Sequence, residues 1–316
     1  MDGETVGSLG EFGVIGRITK GLALAPAVSI GPGDDAAVFL VNGSSVTSVD
    51  MLVEGVHFRR DWVPAELLGR RAIAVAAADI EAMGAYQLSV LVGLSVPEDV
   101  AVSWIDDLSR GIRAECDAAG AALIGGDMTR SRDVMISVTV MGETRGAQPV
   151  LRSGARPGDV VAYRGRLGWS AGGLAVLSRG FRSPRALVEA YQLPQVPYGA
   201  GAEARLAGAT AMIDVSDGLV ADLGHIAKAS EVCIDLDTGR FDIPDPLHAV
   251  AAATGTDPLH FILTGGEDHA LVATFPLGKV PPEWQVIGAV AAEGEPGVLV
   301  DGVPLTGSGG WDHFRR

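Results

Sequence analysis

Apolar positions between residues 12 and 24 fall at helical spacing and lead into a glycine-rich turn. Residues 36–41 and 45–56 alternate as strands, and Asn42-Gly43 between them predicts a tight hairpin. After Pro64, a helix is marked by Leu67, Leu68, Ala72, Ile73, Val75, Ala76 and Ile80 on one face, with Asp79 near that face rather than opposite it. Residues 88–96 predict a strand and 102–118 a second helix. The apolar run 121–124 closes in Gly125-Gly126-Asp127, and 134–141 alternates as another strand. Strands and helices alternate while hairpin turns intervene, so the pattern predicts an α/β chain with mixed sheets.

The pattern changes at GAQPVLRSGARPGD, a polar stretch rich in glycine and proline, and this sets the expected domain junction: 1–147 and 148–316. Beyond it a strand is expected at 160–163, then helices near 170–178, 184–191 and 201–206. A strand end at 212–215 precedes a helix over 218–229. Further strands are expected at 232–236, 270–275, 286–290 and 298–300, the last closed by Asp301-Gly302.

Composition narrows the chemistry. Hydrophobic residues at 47% supply a core, and 43 glycines with 5% aromatics suit closely packed helices and sheets joined by glycine-dependent loops. A formal charge of −15 repels nucleic acid and favours cations, and a polyanionic ligand binds such a chain when metal ions bridge the two. Cys116 and Cys233 stand far apart with no CxxC or Cys/His cluster, which argues for neither disulfides nor zinc. The N-terminal residues lack a signal-peptide pattern, and residues 72–85, the longest apolar run, carry Asp79 and Glu81. The expectation is a cytoplasmic protein with no membrane partner.

Aspartates recur beside Gly, Ala or Ser at strand ends, turns or a helix face: Asp34-Asp35, Asp50, Asp79, Asp127, and Asp214 with Asp217. Magnesium prefers oxygen ligands and is held by few carboxylates together with phosphate and water. Each acid also has a plain structural reading. Asp34-Asp35 suits turn chemistry, Asp79 can pair with Arg70 or Arg71, and Asp214 or Ser216 can cap the next helix. There is no GxxxxGK[ST] and no kinase glycine loop, and lysine occurs only at positions 20, 228 and 279. Phosphate would have to be met by magnesium and arginine, with Arg152 a candidate.

Taken in order, GDDAA, SVDMLVEGVHF, DIEAMGA, LIGGDMTR, LRSGARPGD, IDVSDGL, TGGED and GWDHF resemble the thiamine-monophosphate kinases, within the aminoimidazole ribonucleotide synthetase-like ATP-binding superfamily. The resemblance runs from Glu11 to Phe314 and implies a two-domain fold whose N-terminal sheet pairs across a homodimer, while a C-terminal α/β domain closes over the site. It implies ATP-dependent phosphorylation of thiamine monophosphate to thiamine diphosphate with several Mg²⁺ ions, the last step of thiamine diphosphate biosynthesis. By motif, Asp35, Ser48, Asp50, Asp79, Asp127, Asp214 and Asp217 match metal ligands. Gly126, Asp127, Arg152 and Ser216 match ATP contacts, and His57, Glu267 and Trp311 match contacts to the thiamine phosphate. Val49, where relatives often carry a hydroxyl residue, departs from the pattern. The competing readings are a sister ATP-dependent synthetase, a non-catalytic nucleotide- or thiamine-phosphate-binding protein, and a metal-dependent phosphatase.

Overall fold

The computed structural model describes residues 4–22, 25–32, 36–305 and 309–311. The chain divides into two compact units, one of Met1–Ile80 with Tyr86–Ala147, the other of Glu81–Ala85 with Gln148–Arg316. Among the described residues no helix is long and apolar enough to cross a membrane. Both cysteines are free and buried.

In the first unit, α1 (Val6–Leu9) and α2 (Glu11–Thr19) precede two short paired strands, β1 (Val28–Ile30) and β2 (Val38–Phe39). Then come β3 (Ser45–Val53), α3 (Ala65–Ala82), β4 (Tyr86–Val96), α4 (Val102–Ala119), β5 (Ala122–Arg130) and β6 (Met135–Glu143). The sheet order is β3-β6-β4-β5, antiparallel except for the parallel β4–β5 pair. This is the mixed sheet that the alternation predicts.

The predicted hairpin does not form. β2 pairs with β1, and β3 pairs along its whole length with β6. The Asn42-Gly43 turn closes on the far end of β6 instead: Asn42 N–H donates to Glu143 Oε2 at 2.7 Å, Ser44 N–H to Thr144 Oγ1 at 3.0 Å, and Arg145 N–H to Asn42 O at 2.9 Å. β5 is also longer than the apolar run 121–124, because it continues through the glycines. A Cβ on Gly126 would lie 2.1 Å from Val92 O, so only glycine lets the two backbones meet there.

α3 and α4 cross at similarly close range. A Cβ on Gly111 would stand 1.8 Å from Glu66 O, and one on Gly69 would stand 2.1 Å from Leu108 O. Backbone cannot yield as a side-chain tip does, so Gly111→Ala is expected to destabilise the protein by about 1–3 kcal/mol. Urea unfolding with an unchanged midpoint would show that the helices can move apart freely.

The second unit holds β7 (Val160–Arg164), α5 (Trp169–Leu177), α6 (Arg185–Gln192), α7 (Ala200–Ala207), β8 (Ala211–Val215), α8 (Leu219–Ser230) and β9 (Cys233–Leu236). It is completed by α9 (Asp245–Thr254), α10 (Pro258–Thr264), β10 (Ala270–Phe275), β11 (Gln285–Val290), β12 (Gly297–Val300) and β13 (Val303–Pro304). Its sheet runs β13-β12-β9-β11-β7-β10-β8, again mixed, with β9 and β12 parallel. β8 is buried at every position, since α8 covers it, and its Met212 packs in a core cluster with Leu271, Ala273 and Phe275. That burial fixes the strand end from which the candidate site emerges.

Candidate active site

In the first unit, side chains two apart on β3 share a face. Ser48 Oγ donates to Asp79 Oδ2 on α3 at 2.5 Å, so Ser48 and Asp50 face that helix. Val49 points the other way and is 62% exposed, so its departure from the family pattern puts a different side chain on the opposite face of β3. Asp79 therefore sits near the apolar face of its helix because it meets a hydroxyl there, while Arg70 pairs with Glu115 at 2.8 Å. Asp127 stands elsewhere, on β5 opposite Gly93, and β5 and β3 are the two outer strands. Asp35 falls outside the described residues.

His57 follows β3 and is half-buried beside the fully buried Phe58. The Val53 N–H donates to its Nδ1 at 3.0 Å. A ring nitrogen that accepts carries no proton, so the neutral ring holds its proton on Nε2.

In the second unit, the turn from β8 to α8 gathers several predicted residues. Asp214 is buried, and its Oδ2 lies 3.0 Å from His269 Nδ1. Ser216 O accepts from Glu267 N–H at 2.7 Å, and Asp217 O accepts from Trp311 N–H at 2.9 Å. Backbone bonds thus tie Ser216 to Glu267 and Asp217 to Trp311, and a side-chain bond ties Asp214 to His269. Arg152 is not among them. Its carbonyl accepts from Ser230 Oγ at the opposite end of α8, about 18 Å away for a helix rising 1.5 Å per residue.

Motif reading passes over three residues that organise this turn. Asp222 Oδ2 accepts the N–H groups of Ser216, Asp217 and Gly218, each at 3.0 Å, so neither Asp214 nor Ser216 serves as the helix cap. Burial, then the charge of Asp214, pushes the Asp222 carboxyl up to about 7 against the pull of its N–H donors. Asp268, also buried, accepts from Gly168 N–H at 2.5 Å and Ser170 N–H at 2.7 Å, and burial lifts it to about 7 as well. His269 is the third. An acid in the first turn of α8 is the sequence signal that marks Asp222; Asp268 closes the TGGED motif with no role assigned to it, and His269 carries no signal.

The chemistry of this donor set suits a hard divalent cation. The turn gathers the carboxylates of Asp214, Asp217 and Asp222, and after burial the charge of Asp214 is the next cause that lifts the Asp222 carboxyl. Among the described residues no three His, Cys, Asp or Glu side chains form a metal cage by themselves.

Residues 33–144 match the family described as AIR synthase related protein, N-terminal domain, and residues 156–301 match its C-terminal domain. The chain is similar to a thiamine-monophosphate kinase of Mycobacterium tuberculosis, at 47% identity over 315 residues covering 99% of this chain and 94% of that protein. It is also similar to one of Corynebacterium glutamicum, at 41% identity over 323 residues covering 99% and 96%. A solved structure described as AaThiL complexed with AMPPCP and TMP superposes with a TM-score of 0.81 at 35% identity, covering 97% of each chain.

Proposed function

The chain belongs to the thiamine-monophosphate kinase family, and from that premise we propose that it transfers the γ-phosphoryl group of ATP to thiamine monophosphate, giving thiamine diphosphate and ADP. The observation that carries this reading is the knot of Asp214, Ser216, Asp217, Glu267 and Trp311 at the end of β8, in a chain that aligns end to end with kinases of that name.

Asp35, Ser48, Asp50, Asp79, Asp127, Asp214 and Asp217 are the proposed Mg²⁺ ligands, Asp35 on its motif alone. Magnesium, when bound, supplies charge neutralisation between the phosphates of donor and acceptor. The acceptor is already an anionic phosphate oxygen, so no general base is assigned, and the protein's work is positioning. Gly126 permits close backbone approach beside Asp127, while Arg152 and Ser216 are assigned to ATP. His57 donates Nε2–H to a phosphate oxygen of thiamine monophosphate, and Glu267 pairs with the cationic or aminopyrimidine part of that substrate.

Trp311, 63% exposed and anchored only a few bonds from Asp217, offers a ring face to the thiazolium or the pyrimidine. Trp311→Ala is expected to raise KM for thiamine monophosphate about fivefold, the equivalent of ~1 kcal/mol of cation–π contact, with KM for ATP unchanged. An unaltered KM for the acceptor would refute the stacking role.

The protein is further read as a homodimer whose site is shared. Asp50 and Asp127 stand on opposite outer strands of one four-stranded sheet, about 14 Å apart at ordinary strand spacing. The face carrying Val49 and Met51, opposite that of Asp50, is exposed, and it is the face we assign to a second copy.

The test is product analysis after incubation with ATP, Mg²⁺ and thiamine monophosphate, with omission of each and with thiamine in place of its phosphate. Thiamine diphosphate formed only in the complete mixture, with equal ADP, supports the kinase over the binder and the phosphatase. No diphosphate from a protein that binds ATP would move the acceptor to that of a sister synthetase.

A further inference from the structure

The loop 265–269 is held against the end of β8 at several points. Glu267 N–H donates to Ser216 O at 2.7 Å and His269 N–H to Val215 O at 2.9 Å. Between them Asp268 is locked by the Gly168 and Ser170 amides. Glu267 (φ 69°) and His269 (φ 50°) both take left-handed backbone, a cost that such a loop bears only when the surrounding structure enforces it. The result is a histidine ring delivered to one atom: Nδ1 of His269 lies 3.0 Å from Oδ2 of Asp214, with both side chains under a tenth exposed.

An ionised carboxylate accepts and cannot donate, so the proton of this bond belongs to Nδ1. A bond to one oxygen restrains the rotation of a carboxylate about its last torsion. We propose that His269 is a positioning residue of the metal site, fixing Asp214 through Nδ1–H···Oδ2 so that Oδ1 is presented to the cation. The inference rests on the metal role proposed above for Asp214. It assigns His269 no contact with either substrate. Outer partners of metal ligands that orient them in this way alter metal affinity when removed.

Two replacements separate orientation from packing. His269→Phe keeps the planar ring and loses the donor. His269→Asn loses the ring, keeps an N–H near the position of Nδ1, and tolerates the left-handed backbone. The full chain is titrated with Mn²⁺, read by the spin-resonance signal of the free ion, and the Mg²⁺ requirement for turnover is measured separately. His269→Phe is expected to weaken Mn²⁺ binding and raise the half-saturating Mg²⁺ by about 10- to 100-fold, with KM for thiamine monophosphate unchanged. His269→Asn is expected to stay close to the unaltered protein in both. Phe binding Mn²⁺ as tightly as the unaltered chain, or Asn as weak as Phe or weaker, would overturn the proposal in favour of packing. Failure of the unaltered chain to bind Mn²⁺ would defeat the metal role of Asp214 itself, whether or not the chain turns over thiamine monophosphate.

Discussion

Asp50→Asn and Asp127→Asn are each expected to lower turnover at millimolar Mg²⁺ by at least about 100-fold, the scale of losing one charge-stabilising group in a transfer reaction. Each exchange removes a charge and keeps the shape. Asp127 is exposed on an outer strand and Asp50 lies at the half-buried rim of β3, so circular dichroism and the urea midpoint should hold. Full turnover in either protein would remove that residue from the metal set. The pair also tests the shared site. If β3 of one protomer works with β5 of the other, co-expressed Asp50→Asn and Asp127→Asn chains form mixed dimers with one intact site. Activity should then return to roughly a quarter of the unaltered rate when random pairing makes half the dimers mixed. Two inactive parents whose mixed dimers stay inactive would place each whole site within one chain.

Those acids were legible because phosphate chemistry leaves local marks: an acid next to glycine, serine or alanine at the end of an apolar run. The mixed sheets were legible for the same kind of reason, since alternation is a property of neighbours in sequence. What could not be read depended on partners far along the chain. Asn42-Gly43 has hairpin chemistry, yet its closing partners are Glu143, Thr144 and Arg145, about a hundred residues on. The glycines of GGD look like a loop, yet they pair with Leu91 and Val92 of β4, and at Gly126 Val92 O comes too close for any Cβ. Pro246 and Pro258 are the start signals for α9 and α10, each in the first turn of its helix. Asp268 and His269 gain their roles only through Gly168, Ser170 and Asp214, which no local spacing announces.

Asp222 yields the second large effect, and its sign follows from which proton is bound where. Three amides converge on the same oxygen, Oδ2. Asp222→Ala leaves all three without that acceptor and should cost on the order of 3 kcal/mol, at about 1 kcal/mol for each bond. Asp222→Asn can place its amide oxygen where Oδ2 stands, so it should keep the turn. The charge is a separate matter. Because the folded carboxyl is raised to about 7 from 3.8, the folded state between those values holds a proton that the unfolded chain has released. Metal-free stability therefore falls as pH rises from about 4 to about 7 and levels off above, by on the order of 4 kcal/mol from this group. Asp222→Asn carries no such proton, so its urea midpoint in EDTA should be flatter across that window and higher than that of the unaltered protein at pH 8. Adding Mg²⁺ should narrow the gap, because a cation bound at Asp214 and Asp217 offsets the charge that lifts Asp222. Equal pH slopes for the two proteins in EDTA would mean that the three amides outweigh burial and keep Asp222 ionised throughout, which would sink the protonation argument for this turn.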